Sequence, residues 1–157
     1  MKYIGIKMID AHPVIRKGGK MYDATADFEP LGSFPKSMEP SELGYKIVYP
    51  DGYTSFSPKD VFESAYYPIS DETKITESDV DGFIIKGFGT RMGDKTTIVM
   101  DSTLTGFDTA GISACVDPNN YDQQLGEKYA REEIKKKIWG HLGFILQWAK
   151  NGLKKKQ

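Results

Sequence analysis

Apolar and polar positions alternate loosely over residues 3–15, "YIGIKMIDAHPVI", and predict a first strand that ends near Pro13. "RKGGK" is a turn. Residues 23–43 carry Pro30, Pro35, Pro40 and Gly32 among acids, and predict a long irregular loop. "YKIVYPDGYTSFS" is two β-rich runs around Pro50-Asp51-Gly52, a hairpin pattern. Residues 57–68, "SPKDVFESAYYP", then predict a short helix, with Ser57 as N-cap, Pro58 as the first helical residue and Pro68 as the stop.

The pattern changes at residues 70–79, "SDETKITESD". This stretch is acidic and nearly free of large apolar groups, and it reads as a linker. A first domain over 1–69 and a second over 80–157 follow from it. In the second, "GFIIKGFG", "TTIVMDSTL" and "FDTAGISACV" are strands, the last two joined at Thr105-Gly106. Along 109–116 alternation separates Ala110, Ile112, Ala114 and Val116 from Thr109, Gly111, Ser113 and Cys115. The first set is the expected core face.

Asp117 is the expected cap of a helix starting at Pro118. Tyr121, Leu125, Ala130, Ile134 and Ile138 recur at helical spacing and form its buried stripe. Gly140 and Gly143 interrupt the pattern. "LGFILQWAKNG" makes a second helix that stops at Asn151-Gly152. The expected fold class is α+β: two small domains, the second an antiparallel β-sheet followed by two C-terminal helices.

Charge sharpens this picture. The chain carries a net −1, yet from Tyr121 onward nine Lys/Arg face four Asp/Glu, a net +5. Residues 1–120 hold the balance, a net −6. A basic helical end on an acidic chain suits an anionic partner, but by composition alone it suits a solvated helix face with a basic tail better. The overall −1 makes a nucleic-acid partner unlikely, because non-specific DNA binding needs a larger basic footprint. No apolar run approaches the ~20 residues of a membrane span, and "MKYIGIKMIDAHP" has no signal-peptide pattern. One cysteine allows no internal disulfide, in keeping with a reducing cytoplasm.

Catalytic and metal chemistry find little purchase. Cys115 could be activated beside a helix start, but a cysteine nucleophile needs a base, and only His12 and His141 exist. A small packing role suits it better. No His/Cys pair stands at metal-ligand spacing. "GFGTRMG" is spaced G-x-G-x-x-x-G, and no helix clearly follows, so it is a turn rather than a dinucleotide fingerprint. The expectation is a protein that is no enzyme and carries no cofactor or metal.

The basic helix offers more. Lys128, Arg131, Lys135 and Lys136 fall on neighbouring parts of one helical surface. Arg131 can fork onto phosphate. Asn119, Asn120 and the first-turn amides add donors at the helix mouth, and Phe107 adds a ring for stacking a base. Aromatic, cation and amide together suit a nucleotide. The plainer reading is that Glu127, Glu132 and Glu133 neutralise the cations and Phe107 packs in the core.

Residues 80–148 resemble a family of small tailed-phage and prophage proteins. Its pattern appears here as Gly106-Phe107, "SACVDP" (113–118), "NYD" (120–122), "LG" (125–126), Ala130 and "KKIW" (136–139). Tyr121 stands where the family has Phe, and Leu125 where it has Ile. Residues 3–69 are also similar to a recurrent phage module, through "YIGIKMI", "PVIR" and "DGYTSFSPKDVFESAYYPI". The layout of the second domain is further similar to the type-one anti-Thoeris proteins, phage sponges that sequester glycocyclic ADP-ribose signals. That resemblance implies a cytoplasmic homo-oligomer with pockets between subunits, binding a nucleotide signal. It also implies roles: Phe107 stacks adenine, Asn120 holds ribose or base, and Arg131 and Lys135 hold the diphosphate. The alternative is a phage accessory module that binds a host or phage protein.

Overall fold

The computed structural model describes residues 1–24 and 41–155, so most of the loop expected over 23–43 lies outside the described residues. The chain divides into two compact units, Met1–Pro68 and Ile69–Gln157.

The first unit is an antiparallel sheet of β1 (Asp10–Lys17), β2 (Lys20–Asp23), β3 (Ser41–Val48) and β4 (Thr54–Pro58), ordered β2-β1-β3-β4. The first strand begins at Asp10 rather than at residue 3. Residues 3–9 have no partner strand among the described residues, and Tyr3 and Ile4 are exposed. The β3–β4 hairpin closes at Pro50-Asp51-Gly52, where Asp51 Oδ1 accepts from the Tyr53 amide at 3.0 Å. Helix α1 is Lys59–Ala65. Ser57 belongs to β4, paired with Tyr45, so the cap position falls to Pro58. Phe62 stacks on Tyr45 at 4.1 Å between centroids and on Tyr66 at 4.7 Å, anchoring the helix.

The second unit opens with the stretch expected as a linker. It is folded instead. Thr76 and Asp79 form a capping box that starts α2 (Glu77–Phe83), and Ile75, Asp79, Val80 and Phe83 are buried. The polar letters conceal the helix because its first turn is held by side-chain hydrogen bonds. The expected strand "GFIIKGFG" therefore starts late, at Ile84.

Strands β5 (Ile84–Met92), β6 (Thr96–Thr103) and β7 (Asp108–Ala114) form an antiparallel sheet in that order. Asp117 caps only a single 3-10 turn, Pro118–Asn120. The long helix starts later, with Asp122 as its cap. This α3 (Gln123–Asn151) is one continuous helix of 29 residues, not two. Gly140 and Gly143 lie within it, since a glycine weakens a helix by only about 1 kcal/mol and flanking Ile138 and Leu142 are buried.

Ala130, Ile134, Ile138 and Leu142 form the buried stripe of α3. Their target corrects the expected core face. On β7 the buried positions are Thr109 and Gly111, with Ser113 half-buried, whereas Ile112 is 53% exposed and Val116, two residues past the strand, 94% exposed. Close approach of the helix decides this. A Cβ on Gly126 would lie 2.2 Å from Thr97 Oγ1, and Gly111 is as tightly covered, so this face takes small residues. Ser113 Oγ donates to the Gly126 carbonyl at 2.7 Å across the same seam.

Candidate functional site

Strand β5 carries a bulge. Pairing runs Ile85 with Ser102 and then Phe88 with Met100, so Lys86 and Gly87 together oppose Asp101. Asp101 is 1% exposed, and its Oδ1 accepts from the Gly87 amide at 2.8 Å. A Cβ on Gly87 would lie 2.0 Å from the Met100 carbonyl oxygen, so the bulge is closed to larger residues. The "GFGTRMG" run is thus a bulged strand ending in a turn at Gly93 (φ 67°), not a phosphate loop.

Arg131 reaches this bulge from α3. Its guanidinium donates to Glu127 at 2.8 Å and to the Gly87 carbonyl at 3.4 Å. Its Nε is buried without a hydrogen-bond partner and stands 3.6 Å from Asp101 Oδ2, a coulombic contact too long to be a hydrogen bond. Gln123 and then Arg131 hold the Glu127 carboxyl below its ordinary pKa by hydrogen bonding. One turn on, Lys135 pairs with Asp81 at 2.6 Å and Glu77 at 3.5 Å, both on α2. The Asp81 hydrogen bond raises the lysine pKa.

These groups surround a recess of about 210 Å³, lined by Asp81, Ile84, Lys86, Asp101, Arg131 and Lys135. Enclosed ligand pockets run to about 300–1,000 Å³, so this recess alone does not enclose a nucleotide.

Arg131 and Lys135 are the two expected site residues that meet here. The others lie elsewhere. Lys128 is exposed on α3. Phe107 is 58% exposed at the β6–β7 turn, edge-on to His141 with centroids 5.9 Å apart. Asn119 and Asn120 sit on the 3-10 turn beyond the opposite end of β7, a seven-residue strand of roughly 23 Å. The helix mouth is already occupied: the Asp122 carboxylate accepts from the Leu125 amide at 2.9 Å, and Asp117 from Asn119 at 2.9 Å. Both carboxylates repel an anion there.

Cys115 and His141 are likewise at opposite ends of β7. The Cys115 thiol is half-buried and donates to the Asp117 carbonyl at 3.2 Å. Among the described residues no group of three His, Cys, Asp or Glu could hold a metal ion, and no helix is long and apolar enough to cross a membrane.

Sequence reasoning missed Lys86 and Asp101. The signal was local: a lysine beside a glycine on β5, and an aspartate as the one charged residue of β6. A buried charge in such a strand demands a partner.

Every element of this recess falls within residues 75–149, and that segment matches the family model of the phage protein (N4 Gp49/phage Sf6 gene 66) family. The second unit is similar to a phage protein family. The match supports a phage accessory protein and covers α2, the sheet and nearly all of α3. Within the matched segment, "SACVDP" forms the end of β7 and its 3-10 turn, and the "LG" glycine is Gly126, which lets α3 down onto Thr97. The chain matches no curated protein and no solved structure.

Proposed function

We propose that the second unit is the binding domain of a phage anti-defence protein. It takes up a nucleotide-derived immune signal of the glycocyclic ADP-ribose or cyclic oligonucleotide class, without cleaving it, in the cytoplasm of an infected or lysogenic bacterium. The observation that carries this reading is the convergence of Lys86, Arg131 and Lys135 on one recess inside the phage-family segment.

The three cations differ in how free they are to meet phosphate. Arg131 is committed to buried Asp101 and to Glu127. The partners of Lys135 are side chains 73% and 49% exposed, Glu77 and Asp81. Such surface pairs contribute about 0–1 kcal/mol, so a phosphate displaces them at small cost. Lys86 and Lys135 therefore make first contact, while Arg131 shapes the floor. Phe107, Asn119 and Asn120 lie outside the recess at the two ends of β7, so a ligand that used all three together with Arg131 would need a second copy of the chain to bring them near. This agrees with homo-oligomeric binding. Binding rather than turnover is part of the proposal; Cys115 and His141, at opposite ends of β7, do not make a nucleophile–base pair.

Titration calorimetry with glycocyclic ADP-ribose and with cyclic di- and trinucleotides tests the reading. Micromolar or tighter binding, weakened at least tenfold by Lys86→Ala with Lys135→Ala, is expected. Absence of heat with all of these ligands at micromolar protein sinks it.

A second reading is favoured by a different surface. On the face of the sheet away from α3, Phe88, Met92, Met100 and Ile112 are all exposed, Phe88 to 70%. Such an apolar face suits a protein-binding module of phage or host target. Stoichiometric capture of one protein, lost on Phe88→Ser and retained in Lys86→Ala with Lys135→Ala, would favour it over ligand binding.

A further inference from the structure

Strand β7 is an edge of its sheet, and an antiparallel edge leaves alternate backbone amides and carbonyls turned away from the neighbouring strand. Two of these groups are not open. The Ile112 amide donates to Glu133 Oε2 at 3.3 Å, and the Ala110 carbonyl accepts from Lys137 Nζ at 2.6 Å. Both side chains come from α3, four residues apart.

The match of spacing is geometric. Four helical residues rise about 6.0 Å, and two strand residues rise about 6.6 Å. Positions i and i+4 share a helix face. Here that face hangs over the β7 side of the helix, because Ile134 and Ile138, each the residue after one of the pair, are buried beneath the helix. The polarity also matches. A carboxylate meets a donor, and an ammonium meets an acceptor. Either charge alone would serve one backbone group and repel the other.

The rest of β7 makes the edge attractive to another strand. It is "DTAGISA", uncharged after Asp108, with an exposed isoleucine, Ile112, just past its middle. The opposite edge, β5, is interrupted by the Lys86–Gly87 bulge, which turns the Gly87 amide inward to Asp101. A bulge is one recognised way to spoil an edge, and a lysine laid over it is another. β7 has no bulge.

We propose that Glu133 and Lys137 form a latch that closes the β7 edge to strand addition, and that the strand it excludes is β7 of a second copy. Two such edges meet antiparallel about a two-fold axis and join two three-stranded sheets into one of six strands. The latch is a device of assembly control, separate from the recess.

Native-state hydrogen exchange on single variants tests the contact, and light scattering on a double variant tests its consequence. Glu133→Ala should speed exchange of the Ile112 amide at least tenfold, while Glu133→Gln, whose amide oxygen still accepts, should not. Glu133→Ala with Lys137→Ala should form larger species than the wild type, growing with concentration. The control Glu132→Ala with Lys136→Ala removes the same charges from the same helix and should match the wild type. Unchanged Ile112 exchange in Glu133→Ala overturns the proposal, as does equal assembly by the double variant and its control. Exchange is read on the singly substituted chains, so misfolding of the double variant leaves that arm decisive.

Discussion

A Cβ added to Gly111 would stand 1.9 Å from the carbonyl oxygen of Ala130. No side chain fits that gap. Helix α3 lies so low on β7 that strand and helix backbones are in contact at this point, and Ala130 is fully buried there. Gly111→Ala therefore forces the helix off the sheet rather than displacing a side chain. The expected loss is at least about 2 kcal/mol of stability, the range of overpacked cores. Thermal or urea unfolding of the variant measures it. A melting temperature equal to that of the wild type would show that the helix yields without cost.

Glycine works the other way at Gly140 and Gly143. Both are interior to α3, and a Cβ at either meets nothing within 4 Å. They bring flexibility to the unfolded chain without any close approach in the folded one. Gly140→Ala and Gly143→Ala should each stabilise by about 0.5–1 kcal/mol. The two positions are three residues apart on one helical surface, so the double variant should show whether their gains add or couple. Helix content by circular dichroism should be unchanged, since the helix is already continuous there.

These three glycines show what could be read in the letters and what could not. Turn and hairpin positions were legible because Asp51-Gly52 and Thr105-Gly106 need backbone conformations that their residues favour. The α+β class and the buried Ala130-Ile134-Ile138 stripe were legible through periodicity. The inward face of β7 was not. Alternation names two faces, and hydrophobicity chooses the apolar one, but proximity of α3 selected Thr109, Gly111 and Ser113 instead. The same blindness split α3 in two, because a glycine is marked by its propensity and not by the packing around it. At the recess, Arg131 and Lys135 were visible by helical spacing. Lys86, Asp101 and Asp81 were not, because they come from a bulge, a buried strand position and a helix mistaken for a linker.

That helix hinges on Asp79, which is 3% exposed. One carboxylate oxygen accepts from the Ser70 amide at 2.9 Å and the Ser70 hydroxyl at 2.7 Å. The other accepts from the Thr76 amide at 2.8 Å and the Thr76 hydroxyl at 2.7 Å. The Ser70 hydroxyl, and then the Thr76 amide, pull the carboxyl down to a pKa of about 2. An unfolded aspartate titrates near ~3.9. The folded pKa is depressed, so the stabilisation is fully present above the unfolded value and is lost as pH falls through about 4 toward 2. Asp79→Asn can accept at only one end and turns its amide toward donors at the other. It should cost about 3 kcal/mol at pH 7. The gap between variant and wild type in urea unfolding should narrow between pH 4 and pH 2. A gap that stays constant would mean the cost is steric, not ionic.

The Arg131–Asp101 pair separates structure from ligand chemistry. Asp101 is buried and its charge is balanced by one guanidinium at 3.6 Å. Removing the cation leaves a carboxylate in a low-dielectric site supported, among the described residues, by the Gly87 amide, so Arg131→Ala should destabilise by about 3 kcal/mol. Asp101→Asn keeps an acceptor for that amide and leaves Arg131 its pair with Glu127, so about 1 kcal/mol is expected. Combined, the two changes should cost less than their sum, with a coupling of about 1–3 kcal/mol in a double-mutant cycle of urea unfolding. Strict additivity would show that the pair does not hold the bulge and that Arg131 is free for other work. If the coupling is found, loss of ligand affinity in an Arg131 variant reports a loosened sheet as much as a lost phosphate contact. Lys86 and Lys135, which no buried carboxylate holds, are then the substitutions that test binding cleanly.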